Sequence, residues 1–241
     1  MQKSGCLRPL LIGIVVLTSF SIGGWYILFS TGLYEPPNKA EKALFFEDAW
    51  IWDGISDSLQ LGHVLVENGT ISCVGADCVP PKGIKKMDAK GKSLMPGMID
   101  LHVHYYVASQ ENQGMNALQQ FADYVKQRPG VRRNLVQHGI TSIRCVGDIT
   151  ENVLQLKQQW REAKLAGPRV FVSGAFLTAP AGHPASTWFK GNEVLIQNTT
   201  IQLADPQSAR DAVVNLAAKG VDGLKVVYTR GEDKELPMMS E

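Results

Sequence analysis

The sequence predicts a chain of the α/β class. An N-terminal transmembrane helix and a small β segment come first, and alternating strands and helices follow them in the sequence. Three observations support this prediction. The first is a long apolar run without charges between residues 10 and 29. The second is a series of short apolar runs separated by turn residues between Ala43 and Met98. The third is the alternation of strand-like and helical patterns after Pro96, which is typical of βαβ units and a parallel sheet.

The composition is that of an ordinary globular protein. Of the 241 residues, 44% are hydrophobic and 20% are charged, so the chain can bury a core. Lys and Arg number 24 against 23 Asp and Glu, and the net charge of +1 lacks the basic surplus that nucleic-acid binding usually needs. We therefore expect no nucleic-acid partner. The four cysteines form no CxxC pair, which argues against a structural zinc ribbon.

Residues 1–34 are predicted to be an N-terminal tail and transmembrane anchor. No charged residue follows Arg8 in this segment, and its apolar run is close to the ~20 residues needed to cross a bilayer. Lys3 and Arg8 favour a cytoplasmic tail, which predicts a single-pass membrane protein with its soluble part on the extracytoplasmic side, in the periplasm or outside the cell. Secretion after cleavage of a signal peptide is the alternative. Residues 35–42, with two prolines and mixed charges, are the predicted linker.

Residues 43–96 are predicted to form a small β domain. Asn68 and Gly69 divide two alternating apolar runs, which is the strongest local signal for a tight hairpin.

Residues 97–241 carry the alternating strands and helices. Four strands are predicted, in MIDLHVHYY, TSIRCVG, RVFVSGAFL and GLKVVYT. A helix before the third strand places Val153, Leu156, Trp160 and Ala163 on one stripe. In a later helix Asp205 is the predicted N-cap, Pro206 opens the first turn and Gly220 ends the helix. Val213, Leu216 and Ala217 lie on one face of this helix. Each strand follows its helix after a short connection, as in a βα barrel or a doubly wound sheet.

Asp100, His102 and His104 lie in the first of these strands. The period of two sends both imidazoles to one face, with their Cα atoms roughly 6 to 7 Å apart. Neutral imidazole is a preferred ligand of zinc and similar divalent metals. The alternative is a strand with two hydrogen-bonded histidines, and the spacing alone leaves both interpretations open.

The segment KSLMPGMIDLHVH, residues 92–104, resembles the first barrel strand of the amidohydrolase superfamily, where a Pro-Gly pair leads out of a β-sandwich into an Asp-x-His-x-His metal motif. HVLVENGTISCVG is similar to the sandwich hairpin, and HGITSIRCVGD, AGPRVFVSGAFLTAPAGHP and GVDGLKVV are similar to the second, third and fourth barrel strands. The resemblance implies a β-sandwich segment at 43–96. It also implies the first half, about four βα units, of a TIM-type (β/α)8 barrel at 97–241. The imidazolonepropionase and prolidase-like branch is the most similar.

The resemblance also implies site residues. Lys225 would join His102 and His104 as a metal ligand, because prolidase-like members carboxylate the lysine at this position so that it bridges two cations. The implied cofactor is one or two divalent ions, with zinc favoured. An ion-paired lysine at a barrel mouth is the alternative. His183 and Tyr228 are implied to contact substrate, although Tyr228 can equally be an aromatic strand end. No catalytic acid or base is assigned.

The expected function is a membrane-anchored metal-dependent hydrolase that cleaves amide, cyclic amide or dipeptide-like carbon–nitrogen bonds with a metal-activated water. Its partners would be a small-molecule or dipeptide-like substrate and the membrane. The alternative is a truncated or degenerate amidohydrolase without activity of its own. A (β/α)8 barrel typically needs ~250 residues, whereas 144 follow Gly97. A half-barrel would leave the edge of GLKVVYT unpaired, and we expect such an edge to favour pairing with another chain, for example as a homo-oligomer.

Overall fold

The computed structural model of the chain describes residues 41–106, 119, 130–162, 165–230 and 235–239. The predicted anchor and all but the last two residues of the predicted linker lie outside these residues. Within the described ranges, no helix is both long enough and apolar enough to cross a membrane.

The first part of the described chain is a five-stranded sheet. Its strands are β1 (Ala43–Ile51), β2 (Gln60–Glu67), β3 (Thr70–Gly75), β4 (Lys85–Asp88) and β5 (Ser93–Leu94). The order is β3-β2-β1-β4, with β5 also paired to β1. Strands β1 and β2 are antiparallel, whereas β4 and β5 run parallel to β1. The β2–β3 hairpin turns at Asn68 and Gly69, both at positive φ, as their sequence predicts.

A small core and a disulfide hold this sheet. Phe45, Leu65 and Cys78 are buried together. Cys78 is bonded to Cys73, five residues earlier in the chain. The bond ties the segment after β3 back to that strand.

Two three-stranded parallel sheets follow. The first has the order β6-β7-β8 and the second β10-β9-β11. Their strands are β6 (Met98–Val103), β7 (Ile140–Cys145), β8 (Arg169–Val172), β9 (Phe176–Thr178), β10 (Thr200–Gln202) and β11 (Lys225–Val226). The strand predicted over RVFVSGAFL is thus divided into β8 and β9, and β10 was not predicted. The mixed α/β class is confirmed.

Three helices with complete boundaries accompany these sheets: α1 (Thr150–Arg161), α2 (Glu193–Thr199) and α3 (Pro206–Lys219). Residues 130–137 are also helical. Helix α1 buries Val153, Leu156 and Trp160 in the core formed with β7 and β8, as its stripe predicts. Ala163 lies outside the described residues.

Helix α3 begins and ends where its sequence predicts, but its buried face is different. Asp205 accepts the Ser208 N–H in a capping box, and Gly220 is left-handed. Leu216 is buried, whereas Val213 is 39% exposed and Ala217 is also exposed. The predicted face is therefore wrong at Val213 and Ala217. The helix instead packs Ala212 and, one turn later, Leu216 against Leu177. The buried face of α3 is therefore formed by residues spaced four apart.

Candidate metal-binding site

His102 and His104 converge at the carboxyl end of β6. Their Nε2 atoms are 3.3 Å apart and their ring centroids 5.2 Å apart. Asp100 lies on the same strand, and its Oδ1 accepts the N–H of His102 at 3.0 Å. The strand therefore brings two ring nitrogens close enough to share one ion.

The His104 ring is held on three sides. Its Nδ1 lies 2.9 Å from the carbonyl oxygen of Gly147. Because a carbonyl oxygen can only accept, Nδ1 carries the proton and Nε2 presents its lone pair toward His102. Phe176 stacks against the ring at 5.5 Å, and Trp188 meets it edge-on at 6.0 Å.

Asp148 supports the chain just after this pair. The carboxylate is fully buried, and its Oδ2 accepts the backbone N–H groups of Tyr105 at 2.6 Å and Tyr106 at 2.7 Å. The Cys145 thiol donates to the same oxygen, and the Ile149 N–H donates to Oδ1. Burial raises the pKa of Asp148, and these donors act in the opposite direction. Sequence reasoning assigned Asp148 no role, although its place after the carboxyl end of the second predicted barrel strand is one where barrel proteins carry functional residues.

Lys225 begins β11, which pairs with β9 in the second sheet. Burial first, and then the positive charge of Lys225, lower the pKa of His102 below its ordinary value. The same two causes, in the same order, lower the pKa of His183. The lysine charge therefore acts on histidines from two other parts of the chain.

His183 lies in the loop after β9. Its Nδ1 is 2.7 Å from the Thr187 hydroxyl, and its carbonyl oxygen accepts the Thr178 hydroxyl at 2.6 Å. Its ring meets Trp188 edge-on at 4.6 Å, so this indole lies between His183 and His104. Trp188 is 39% exposed and was missed by sequence reasoning.

Tyr228 lies two residues beyond β11 and is 58% exposed. Its substrate role and that of His183 stay predictions.

The histidine pair fits a divalent cation. Two imidazole nitrogens at ~2.0 to 2.1 Å from a tetrahedral zinc lie about 3.4 Å apart, and the Nε2 atoms are separated by 3.3 Å. The part of the chain that the structure describes contains no cluster of three or more His, Cys, Asp or Glu side chains able to hold an ion. Lys225 could add a ligand only as a carbamate, because an ammonium group has no lone pair.

Short stretches of the chain match curated amidohydrolases, which are hydrolases of carbon–nitrogen bonds, although no family model matches the chain. A dihydropyrimidinase of Rattus norvegicus is 42% identical over 52 residues, which are 20% of this chain and 10% of that protein. A dihydroorotase of Pelobacter propionicus is 31% identical over 93 residues, 39% of this chain and 18% of that protein. An imidazolonepropionase of Salinispora arenicola is 40% identical over 45 residues, 19% of this chain and 12% of that protein.

Solved structures resemble a larger part of the chain. An amidohydrolase is 26% identical with a TM-score of 0.59, and the match covers 76% of this chain and 46% of that one. A Xaa-Pro dipeptidase with bound methionine in its active site shares the fold at 23% identity, with a TM-score of 0.62 and coverage of 78% and 48%. The chain thus spans about half the length of these structures. The matched sequences and the shared fold together support the amidohydrolase superfamily for the part of the chain that they cover.

Proposed function

We propose that this chain takes part in the metal-dependent hydrolysis of carbon–nitrogen bonds in amide, cyclic amide or dipeptide-like substrates. The observation that carries the proposal is the convergence of the His102 and His104 Nε2 atoms, with the His104 tautomer fixed by Gly147. The relatives, which include a dihydropyrimidinase and a dihydroorotase, support the same reaction class.

In this proposal the two neutral imidazoles and a carboxylated Lys225 hold one or two divalent ions, with zinc the first candidate. A bound ion of this kind lowers the pKa of a water ligand and polarises a carbonyl oxygen. Burial, the largest cause, lowers the pKa of His102 and so favours the neutral ring that a metal ligand needs. The hydrogen bond from His104 to Gly147 therefore prepares the Nε2 lone pair of His104 before any ion arrives.

His183, Trp188 and Tyr228 are the proposed substrate contacts. The first two lie against each other beside His104. The Nδ1 of His183 engages Thr187, which directs Nε2 away from that hydroxyl and leaves it for a polar substrate group. The half-exposed indole of Trp188 offers an apolar surface next to it.

A second candidate is a chain of this superfamily that binds metal or substrate without turnover of its own. It is favoured by the absence of a third His, Cys, Asp or Glu ligand beside the pair among the described residues. It is also favoured by the exposure of Ile99 and Leu101 on β6, which ends its sheet within the described part of the chain. Completion of a (β/α)8 barrel, by a further segment or in a homo-oligomer, would pair such an edge.

For localisation we propose a single-pass anchor in residues 1–34, with the folded part on the extracytoplasmic side. The uncharged apolar run supports the anchor. The Cys73–Cys78 disulfide supports the compartment, because disulfides persist mainly in oxidising environments. A secreted form, released by signal cleavage, is the alternative and agrees equally with the disulfide.

The test uses the full chain in mild detergent. Zinc affinity is measured by competition with a chromophoric chelator, and hydrolysis is measured on a panel of dihydropyrimidine, dihydroorotate and Xaa-Pro substrates. His102→Ala and His104→Ala should each weaken zinc binding at least tenfold, whereas His138→Ala, on an exposed histidine outside the site, should not. Absence of zinc binding, or binding unaffected by the first two changes, contradicts the proposal. Zinc binding without turnover on any substrate supports the second candidate.

A further inference from the structure

The turn formed by Gly147 and Asp148 reaches the metal-ligand region by two routes. The Gly147 carbonyl oxygen accepts the Nδ1–H of His104 at 2.9 Å. The next residue places one carboxylate oxygen on the consecutive backbone N–H groups of Tyr105 and Tyr106. We propose that Asp148 is a positioning residue that fixes both the location and the tautomer of His104. The consequence for metal binding rests on the proposed function, but the effect on the tautomer does not.

The geometry makes the two routes interdependent. The imidazole can donate to Gly147 only while the backbone after His104 stays at its present, short distance from the turn. The two short hydrogen bonds to Asp148, of 2.6 and 2.7 Å, set that distance. The acceptor carbonyl belongs to Gly147 and the acceptor carboxylate to the next residue, Asp148. A displacement of either residue therefore displaces the other acceptor as well.

The turn itself is anchored from the other side. Its Gly147 N–H donates to the Ser173 hydroxyl, which donates to the Cys145 carbonyl oxygen. The Asp148 N–H donates to the Gly174 carbonyl oxygen at 3.0 Å. The carboxylate therefore connects the segment after β6 to a turn that is already fixed on the segment after β8.

A fully buried carboxylate is costly unless donors satisfy it. Four donors, three backbone N–H groups and the Cys145 thiol, surround this one. Two of the four belong to the residues directly after His104. The buried carboxyl group is thus coupled to the position of the ligand region, and an alanine in its place would leave the Tyr105 and Tyr106 N–H groups without this acceptor.

The first readout needs no metal. Full chain labelled with ¹⁵N-histidine is examined by NMR at pH 8, above the ordinary pKa of an imidazole, and the His104 signals are assigned with His104→Ala. We expect the Nδ1–H tautomer in the wild type. In Asp148→Ala the ratio of Nδ1–H to Nε2–H should fall about tenfold, the value of one lost hydrogen bond.

Matched variants separate positioning from general destabilisation. Asp148→Asn retains a carbonyl oxygen for the two N–H groups and should preserve the tautomer ratio. Asp148→Glu keeps the carboxyl group but displaces it by one methylene, and should lower the ratio even if Asp148→Ala does not fold. Leu156→Ala disturbs the core shared with Tyr105 without touching the carboxylate and should leave the ratio unchanged.

The second readout is zinc affinity. Asp148→Ala should weaken it about 10- to 100-fold, as is typical for a residue that orients a metal ligand, and Leu156→Ala should change it less than about twofold. If the wild type binds no zinc but the tautomer ratio responds as expected, the proposed function fails and the positioning role stands. If the ratio is unchanged in Asp148→Ala and Asp148→Glu, or if Leu156→Ala lowers it equally, the positioning role is wrong.

Discussion

Gly147→Ala tests whether the turn beside His104 tolerates a side chain. The φ of Gly147 is +96°, and a Cβ there would lie 2.6 Å from Cδ1 of Phe176 and closer to Cε1 and Cζ. Left-handed backbone costs an L-residue ~1–2 kcal/mol, and overpacking a core costs ~1–3 kcal/mol. Since Phe176 is buried and stacked on His104, its ring has little room to yield. We expect the substitution to lower the free energy of unfolding by ~2–5 kcal/mol.

Gly220→Ala provides the matched control. Gly220 has a φ of +88°, but apart from its chain neighbours no heavy atom of the described residues lies within 4 Å of a Cβ built on it. It should therefore show only the backbone cost of ~1–2 kcal/mol. Both variants are compared with the wild type in urea, with the unfolding followed by circular dichroism.

A double mutant identifies the source of the cost. Phe176→Leu, combined with Gly147→Ala, should be less destabilised than the sum of the single changes by about 1 kcal/mol, because the smaller side chain relieves the contact. The reasoning is refuted if Gly147→Ala costs no more than Gly220→Ala. It is equally refuted if the effects of Gly147→Ala and Phe176→Leu are simply additive.

Three further predictions concern stability. Reduction of the Cys73–Cys78 bond should lower the free energy of unfolding in urea by ~2 kcal/mol, the chain-entropy value for so short a loop. Asp222→Ala removes the ion pair with Lys157, at 2.6 Å, and an acceptor for a backbone N–H of β8. It should cost ~1–3 kcal/mol in the same assay, and more than Lys157→Ala does. A hydrogen bond from a backbone N–H of α3 lowers the pKa of Asp205 from 3.8. The stabilisation of the folded state by the Asp205 carboxylate is therefore complete above pH 3.8, and it is lost as the pH falls through the lower pKa of the folded state. The melting temperatures of wild type and Asp205→Ala should accordingly differ at pH 7 and converge in acid.

Local patterns predicted those features that depend on a single element. Alternation along β6 is sufficient to place His102 and His104 on one side, because side-chain direction in a strand has a period of two. The capping sequence at Asp205 and the left-handed Gly220 likewise define α3 through short-range hydrogen bonds and φ angles alone.

Features that depend on neighbouring elements were not predictable in this way. The inner face of α3 is set by what packs against it, and propensity did not reveal that Val213 would be exposed. The contacts of His104 with Gly147 join residues 43 positions apart, and Trp188 reaches the histidines from a loop. These contacts follow from the pairing of β6 with β7 and from the path of the chain after β9, which no local periodicity encodes.

The position of Lys225 relative to the histidine pair depends on a bend rather than on one continuous sheet. Strands β6 and β11 belong to different sheets. The third predicted strand connects the two sheets, because its first part, β8, pairs in the sheet of β6 and its second part, β9, pairs in the sheet of β11. At the bend the Ala175 N–H donates to the Thr150 hydroxyl at 3.0 Å, and the Ser173 hydroxyl donates to the Cys145 carbonyl oxygen. The start of α1 and the end of β7 therefore fix the angle between β8 and β9. Because β9 also pairs with β11, Ser173 and Cys145, which support the Gly147–Asp148 turn beside His104, also help to set the position of the strand that carries Lys225.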